Sequence, residues 1–287
     1  MSALAAAIGL SLIAAAIHGT WNVLVKVSGD PLRTFRRATL VAIGVATPLT
    51  ATAWWLTGRP GMSPAAVGWC ALSATFELTY LWLLSAAYRR GEISVVYPIA
   101  RGSAPLLAVL AGIVILGERL APTQAVGVGL LLLGIIAVTL PQTSGRATLP
   151  ALLTGVAIAV YTSVDRVGVR LTTPWLYGWL LTTLIGIGLV ISMRIGAAYR
   201  DRPDADAAEQ EPTWARSALI GVLMWGAYLL VLWALSLGPL SVVAPVRETA
   251  IVVVAIWGVF RLRESRGAGL KLGGAVATLA GVALLAI

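Results

Sequence analysis

The sequence predicts an all-α membrane protein with ten transmembrane helices arranged as two inverted five-helix repeats. Three observations predict it. First, the composition is 59% hydrophobic and 11% charged, with a mean hydropathy of +0.89, which lies outside the usual range of soluble domains. Second, the apolar runs are continuous and about 20 residues long, the length a helix needs to cross about 30 Å of hydrocarbon. They lack the alternation that a spanning barrel requires. Third, the chain repeats itself: "GEISVVYP" (Gly91 to Pro98) returns as "GPLSVVAP" (Gly238 to Pro245), and "LGER" returns as "LRES", pairing Glu118 with Glu264. More weakly, "WNVLVK" (Trp21 to Lys26) aligns with "YTSVDR" (Tyr161 to Arg166). Five segments per copy is an odd number, so the second copy enters from the opposite face.

Cutting at charged or Pro/Gly-rich gaps places the segments at 3–26, 35–57, 65–88, 94–116, 122–140, 149–170, 175–195, 215–236, 241–260 and 268–286. The first run has no basic leader and no small-residue cleavage signature, so it is read as a retained spanning helix. The gap "PQTSGRAT" (Pro141 to Thr148) divides the chain into copies at 1–140 and 141–287. A longer polar and acidic gap, Arg200 to Thr213, reads as a solvated loop.

The net charge of +9 could suggest a nucleic-acid partner, but the Lys and Arg residues are spread over short gaps and are not gathered on one face. They report topology, and the expected partner is the lipid bilayer, with no nucleic acid. Outside the apolar runs, all but Arg59, Arg119, Arg166 and Arg170 lie in gaps after odd-numbered segments. The positive-inside rule then puts both termini outside a plasma (inner) membrane. A single cysteine, Cys70, and a single histidine, His18, provide neither a disulfide framework nor a metal cluster.

Charged residues inside the apolar runs are the candidate site. Arg101 stands seven residues past Ser94, about 10 Å along its helix. Arg247 stands six residues past Ser241 in the second copy and enters from the other side. A charge at mid-bilayer costs several kcal/mol and marks a pathway or a pair. Pro98, Pro105 and Pro245 flank the two arginines, which predicts bends there. Glu77 shares a face with Ser73 and Tyr80 at helical spacing, while its repeat mate is Met224, so the acid breaks the symmetry. Glu248 follows Arg247 directly, so on an uninterrupted helix it points elsewhere, with Arg101 as its candidate partner. His18, Trp21 and Asn22 stand at i, i+3 and i+4. Tyr161 and Asp165 share one face of the sixth segment, where Asp165 can also pair with Arg166 or Arg170. Tyr97, Trp225 and Tyr228 lie deep enough to stack on a ligand. Glu118 and Glu264 are read as structural carboxylates at the starts of the fifth and tenth segments. "GVGLLLLG" and "GGAVATLAG" permit close helix contact.

"HGTWNVLVK", "SVVYPIARGSAPLLAVLAGIVILGERL" and its second copy "SVVAPVRETAIVVVAIWGVFRLRES" resemble the EamA family of the drug/metabolite transporter superfamily. The resemblance covers essentially the whole chain and implies two five-helix halves. It says little about substrate, because relatives move amino acids, sugars, nucleosides and vitamins. The usual orientation of such relatives is with cytoplasmic termini, opposite to the charge count here.

The expected function is a secondary transporter, working outward by alternating access on a small polar or amphoteric metabolite such as an amino acid or organic anion. Arg101 and Arg247 would hold an anionic group, Glu248 is a further substrate-binding candidate, and Glu77 would meet a cation or carry a coupling proton, with His18 as a second proton candidate. Trp21, Asn22, Tyr80, Tyr97 and Tyr161 would shape the cavity. No cofactor is expected: GxxxxGK[ST], HExxH and GxSxG are all absent from the sequence, which argues against ATP use and against an enzyme. The alternative function is a flippase for a lipid-linked sugar or phosphate. A monomer is expected, with a homodimer as the alternative state.

Overall fold

Caps and prolines set where the helices begin. In the computed structural model, which describes residues 2–90, 93–139, 148–198, 213–249 and 268–286, α1 (Ala3–Lys26) starts behind Ser2, whose hydroxyl accepts from the Ala5 amide. For α2 (Pro31–Leu56), Asp30 is the N-cap, accepting from the Arg33 amide at 2.7 Å, and Pro31 supplies a first residue that needs no amide partner. The helix therefore starts four residues before the predicted 35, because caps and not the first apolar residue decide a boundary. α3 (Pro64–Arg90), α5 (Pro122–Thr139) and α7 (Pro174–Ala198) also open on proline. α6 (Thr148–Gly168) ends in a 3₁₀ turn, Val169–Leu171. α8 (Trp214–Leu237) is capped by Thr213, and α10 (Ala268–Ala286) is last.

The two arginine-bearing helices differ from each other. α4 (Ile93–Leu110) runs through both of its prolines and gives way only beyond them, in a π-turn at Ala111–Ile115. That turn closes with the Glu118 amide reaching back to the Gly112 carbonyl at 2.9 Å, around Gly117 at φ +66°. The bend expected beside Arg101 is thus not a break in the helix. α9 (Leu240–Arg247) does stop two residues after Pro245, with Glu248 as its C-cap. The rest of the predicted 241–260 run, and Glu264, lie outside the described residues.

Among the described residues all the regular secondary structure is helical. Six helices, α1, α2, α3, α6, α7 and α8, are long and apolar enough to cross a membrane, and shorter apolar stretches occupy Ile99–Ile115, Pro122–Val138 and Leu272–Leu285. The most apolar window of α6 is 61% buried in the protein and that of α2 only 22%, so α6 is central and α2 lies at the rim. Large apolar side chains point outward, as at Leu56 and Ile115, each 77% exposed. In lipid that exposure carries no hydrophobic cost.

Packing follows the sequence repeat. α3 lies along α6 as α8 lies along α1, while α5 meets α10, α2 meets α7 and α4 meets α9. Small residues make these approaches possible. A Cβ built on Gly134 would sit 2.5 Å from the Gly274 carbonyl oxygen and 2.7 Å from the Thr278 nitrogen, both backbone atoms of α10. Gly134→Val is therefore expected to part α5 from α10 at a cost of about 1–3 kcal/mol, read as a lower apparent Tm in detergent. Gly129→Val, on the same helix with open space around it, is the control and should leave Tm nearly unchanged.

Candidate functional site

The centre of the bundle holds a buried ionic triad. Arg101 Nη1 lies 3.1 and 3.3 Å from the two carboxylate oxygens of Glu248, and Arg247 donates to Glu248 Oε1 through Nε at 3.0 Å, with its Nη2 in ion-pair range at 2.9 Å. The three residues are 3%, 1% and 1% exposed, so each charge depends on the others. The arginines were expected to hold an external anion; the carboxylate between them is the protein's own. Glu248 follows the last residue of α9, its amide still bonded back to the Pro245 carbonyl at 3.1 Å, and its carboxylate lies between the two guanidiniums.

Beside the triad lies a small chamber, with Arg101 in its wall. α1 contributes His18 and Trp21, α3 contributes Glu77 and Tyr80, α4 contributes Arg101, α6 contributes Tyr161, and α8 contributes Met224, Trp225 and Tyr228. Tyr80, Tyr161 and Tyr228 form an edge-to-face row with ring centroids 5.6 and 6.0 Å apart. Trp21 is wedged between His18 and Phe35. The wall is apolar and aromatic, with a few polar atoms.

Several of those polar atoms have no hydrogen-bond partner among the described residues. They include Glu77 Oε1, the indole Nε1 of Trp21 and that of Trp225, and, at the triad, Arg247 Nη1. Buried donors and acceptors are normally paired, so these unpaired atoms beside a cavity stand out as exceptions.

Trp21, Glu77, Tyr80, Arg101 and Tyr161 are brought together at the chamber, whereas Arg247 and Glu248 stand behind Arg101 outside the chamber wall. His18 is on the wall, its Nδ1 donating to the Ala14 carbonyl at 2.8 Å. Asn22 is not in the wall. Its amide donates to the His18 carbonyl at 2.8 Å and its oxygen accepts from Tyr88 at 2.9 Å, so it ties α1 to α3 with its polar atoms already used. The Tyr97 side chain lies outside the described residues. Asp165 pairs with neither Arg166 nor Arg170; both its oxygens accept from phenols, Tyr177 at 2.8 Å and Tyr228. Glu118 is structural, but at α9: it accepts from the amides of Leu240 at 2.7 Å and Ser241 at 2.8 Å and pairs with Arg166 at 3.3 Å.

The sequence reading missed Thr39 of α2 and Thr182 of α7, which also line the chamber. The signal was available. Aligning the prolines that open the two helices, Pro31 with Pro174, puts these two threonines in register.

An all-helical bundle with outward-facing apolar residues and a central, mainly aromatic chamber defines an integral membrane protein. The family comparison gives the class its name: the model of the EamA-like transporter family matches residues 5–140 and again 146–287, and the chain belongs to that family. Its members are transporters of the drug/metabolite type. No curated protein matches the chain. A solved crystal structure is similar with a TM-score of 0.71 at 16% identity, covering 97% of this chain and 97% of its own. That likeness shows a shared fold.

Proposed function

We propose that the chain is a secondary transporter that exports a small amphoteric metabolite by alternating access, with ten spanning helices in two inverted copies, 1–140 and 141–287. Inverted halves can exchange conformations, which opens one central chamber first to one side and then to the other. The observation that carries the substrate class is the set of unpartnered atoms on the chamber wall. Glu77 Oε1 needs a donor, and an ammonium is the donor that also meets its charge. The indole N–H groups of Trp21 and Trp225 need acceptors, which a carboxylate or carbonyl supplies. Arg101 stays at the chamber edge as a positive guide, although Glu248 already uses much of its charge. The tyrosine row offers faces for an organic cation or a ring.

The charge bias supports an orientation with both termini on the non-cytoplasmic side of the plasma membrane; a reporter fused after Ile287 that works only in the cytoplasm would reverse it.

The test is a thermal-shift panel of the twenty amino acids and simple biogenic amines on purified protein, followed by counterflow of the stabilising compounds in proteoliposomes. Amino compounds are expected to raise Tm by mass action, with Glu77→Gln abolishing both the shift and the counterflow at unchanged fold. Stabilisation by phosphate-bearing lipids alone would favour the flippase reading instead. Organic anions that bind as well to Glu77→Gln as to the wild type would refute the proposed role of Glu77.

A further inference from the structure

Asp165 is a buried acid that the substrate reading leaves without a task. It is 0% exposed, lies one turn beyond Tyr161 on α6, and has no Lys or Arg within ion-pair distance among the described residues. The groups that face it are Cys70, Ser73 and Glu77 from α3, Tyr177 from α7, Tyr228 from α8 and Arg247 from α9. Arg166, the next residue, turns away to Glu118 and the Leu235 carbonyl. Glu248 offers the contrast inside the same bundle: its charge is met at hydrogen-bond distance by two guanidiniums. A carboxylate whose donors are neutral hydroxyls in a low-dielectric interior is costly to hold ionised, and a proton removes the cost.

Geometry supplies the route. Tyr228 lines the chamber with Glu77 and also donates its hydroxyl to Asp165 Oδ2. One side chain thus touches both the solute space and the sealed acid.

We propose that Asp165, reached through Tyr228, is the acid that carries the coupling proton of transport. In the loading step Tyr228 passes its hydroxyl proton to Asp165 Oδ2 and takes one from the chamber side, from Glu77 or from water, so only O–H bonds are exchanged and Tyr228 ends unchanged. In the exchange step an ammonium arriving at Glu77 adds a positive charge next to the pair of acids, and the proton leaves Asp165 by the same route. One cation replaces the other, which is antiport. The exchange step rests on the amphoteric-substrate reading, whereas the proton site itself does not.

Infrared difference spectra of the wild-type protein in lipid, without any added solute, test the site between about pH 3 and about pH 9, a range that spans ordinary carboxyl titration and the values above it. A protonated-carboxyl band is expected in the wild type, retained in Glu77→Gln and lost in Asp165→Asn. Tyr177→Phe keeps the acid but removes one donor, so it should move the band to higher frequency; this variant decides the matter if Asp165→Asn does not fold. A band lost in Glu77→Gln and kept in Asp165→Asn would transfer the role to Glu77, and no titrating band at all would end the proposal. Failure of every amino compound in the thermal-shift panel would leave this result standing and remove only the substrate reading.

Discussion

Glu248→Gln should be the most damaging conservative substitution in the protein. The change keeps size and shape but removes the anion that serves two guanidiniums, each nearly inaccessible. Removing one member of a buried ionic set costs about 3–5 kcal/mol, because the remaining charges stay buried and unpaired. Against a total stability of about 5–15 kcal/mol, the expected result is loss of the monodisperse species in fluorescence-detected size exclusion, or an apparent Tm lower by ten degrees or more. The companion variant, Glu248→Gln with Arg101→Met and Arg247→Met, replaces all three charges by neutral groups of similar length and should recover most of the folded protein. It should not recover transport, since Arg101 stands in the chamber wall. If Glu248→Gln alone keeps the wild-type Tm, the triad is not what holds α4 against α9.

Much of this arrangement was legible in the sequence, and the part that was not has a definite physical cause. Arg101 and Arg247 stood out because a charge within an apolar run is expensive wherever lipid is the solvent. The halves stood out because "SVVYP" and "SVVAP" recur, and the packing of α3 on α6 and α8 on α1 repeats with them. Glu77 was found as an acid without a mate. The Arg101–Glu248 pair was the one the sequence offered, whereas the second bond, to Arg247, was missed because helical periodicity turns adjacent residues about 100° apart. The Arg247 side chain is long enough to return to the carboxylate of its own neighbour, which backbone periodicity does not show. Asn22 was misread for a related reason. Spacing placed it near Trp21, but nothing local shows that Tyr88, on another helix, would claim its oxygen. Glu118 was read as the cap of the helix that follows it in sequence, whereas tertiary contact gives it to α9.

Glu118 also carries the second large expected effect. α9 is a single eight-residue helix, too short to hold itself by propagation alone, yet it must present Arg247, and Glu248 just after it, at fixed positions. Its first amides, at Leu240 and Ser241, are bonded to the Glu118 carboxylate, which also meets Arg166 from α6. Glu118→Ala removes the cap, worth about 0.5–2 kcal/mol, and leaves a half-buried arginine short of its partner, about 1–3 kcal/mol more. Protection of the α9 amides in hydrogen exchange is expected to fall first, because local opening follows the weakest anchor. Counterflow should fall about tenfold or more once the triad loses its register. Gly112→Ala provides an independent route to the same state. A Cβ there would lie 2.6 Å from Glu118 Oε2 and 3.2 Å from the Ser241 nitrogen, pushing the carboxylate off its amides while leaving every charge in place. If the cap is what positions the site, both variants loosen α9, and Glu118→Gln, which keeps one acceptor oxygen, loosens it less. Unchanged exchange across 240–247 in Glu118→Ala would mean that α9 is held by its apolar face alone, and that Arg247 and Glu248 owe their placement to packing and not to this carboxylate.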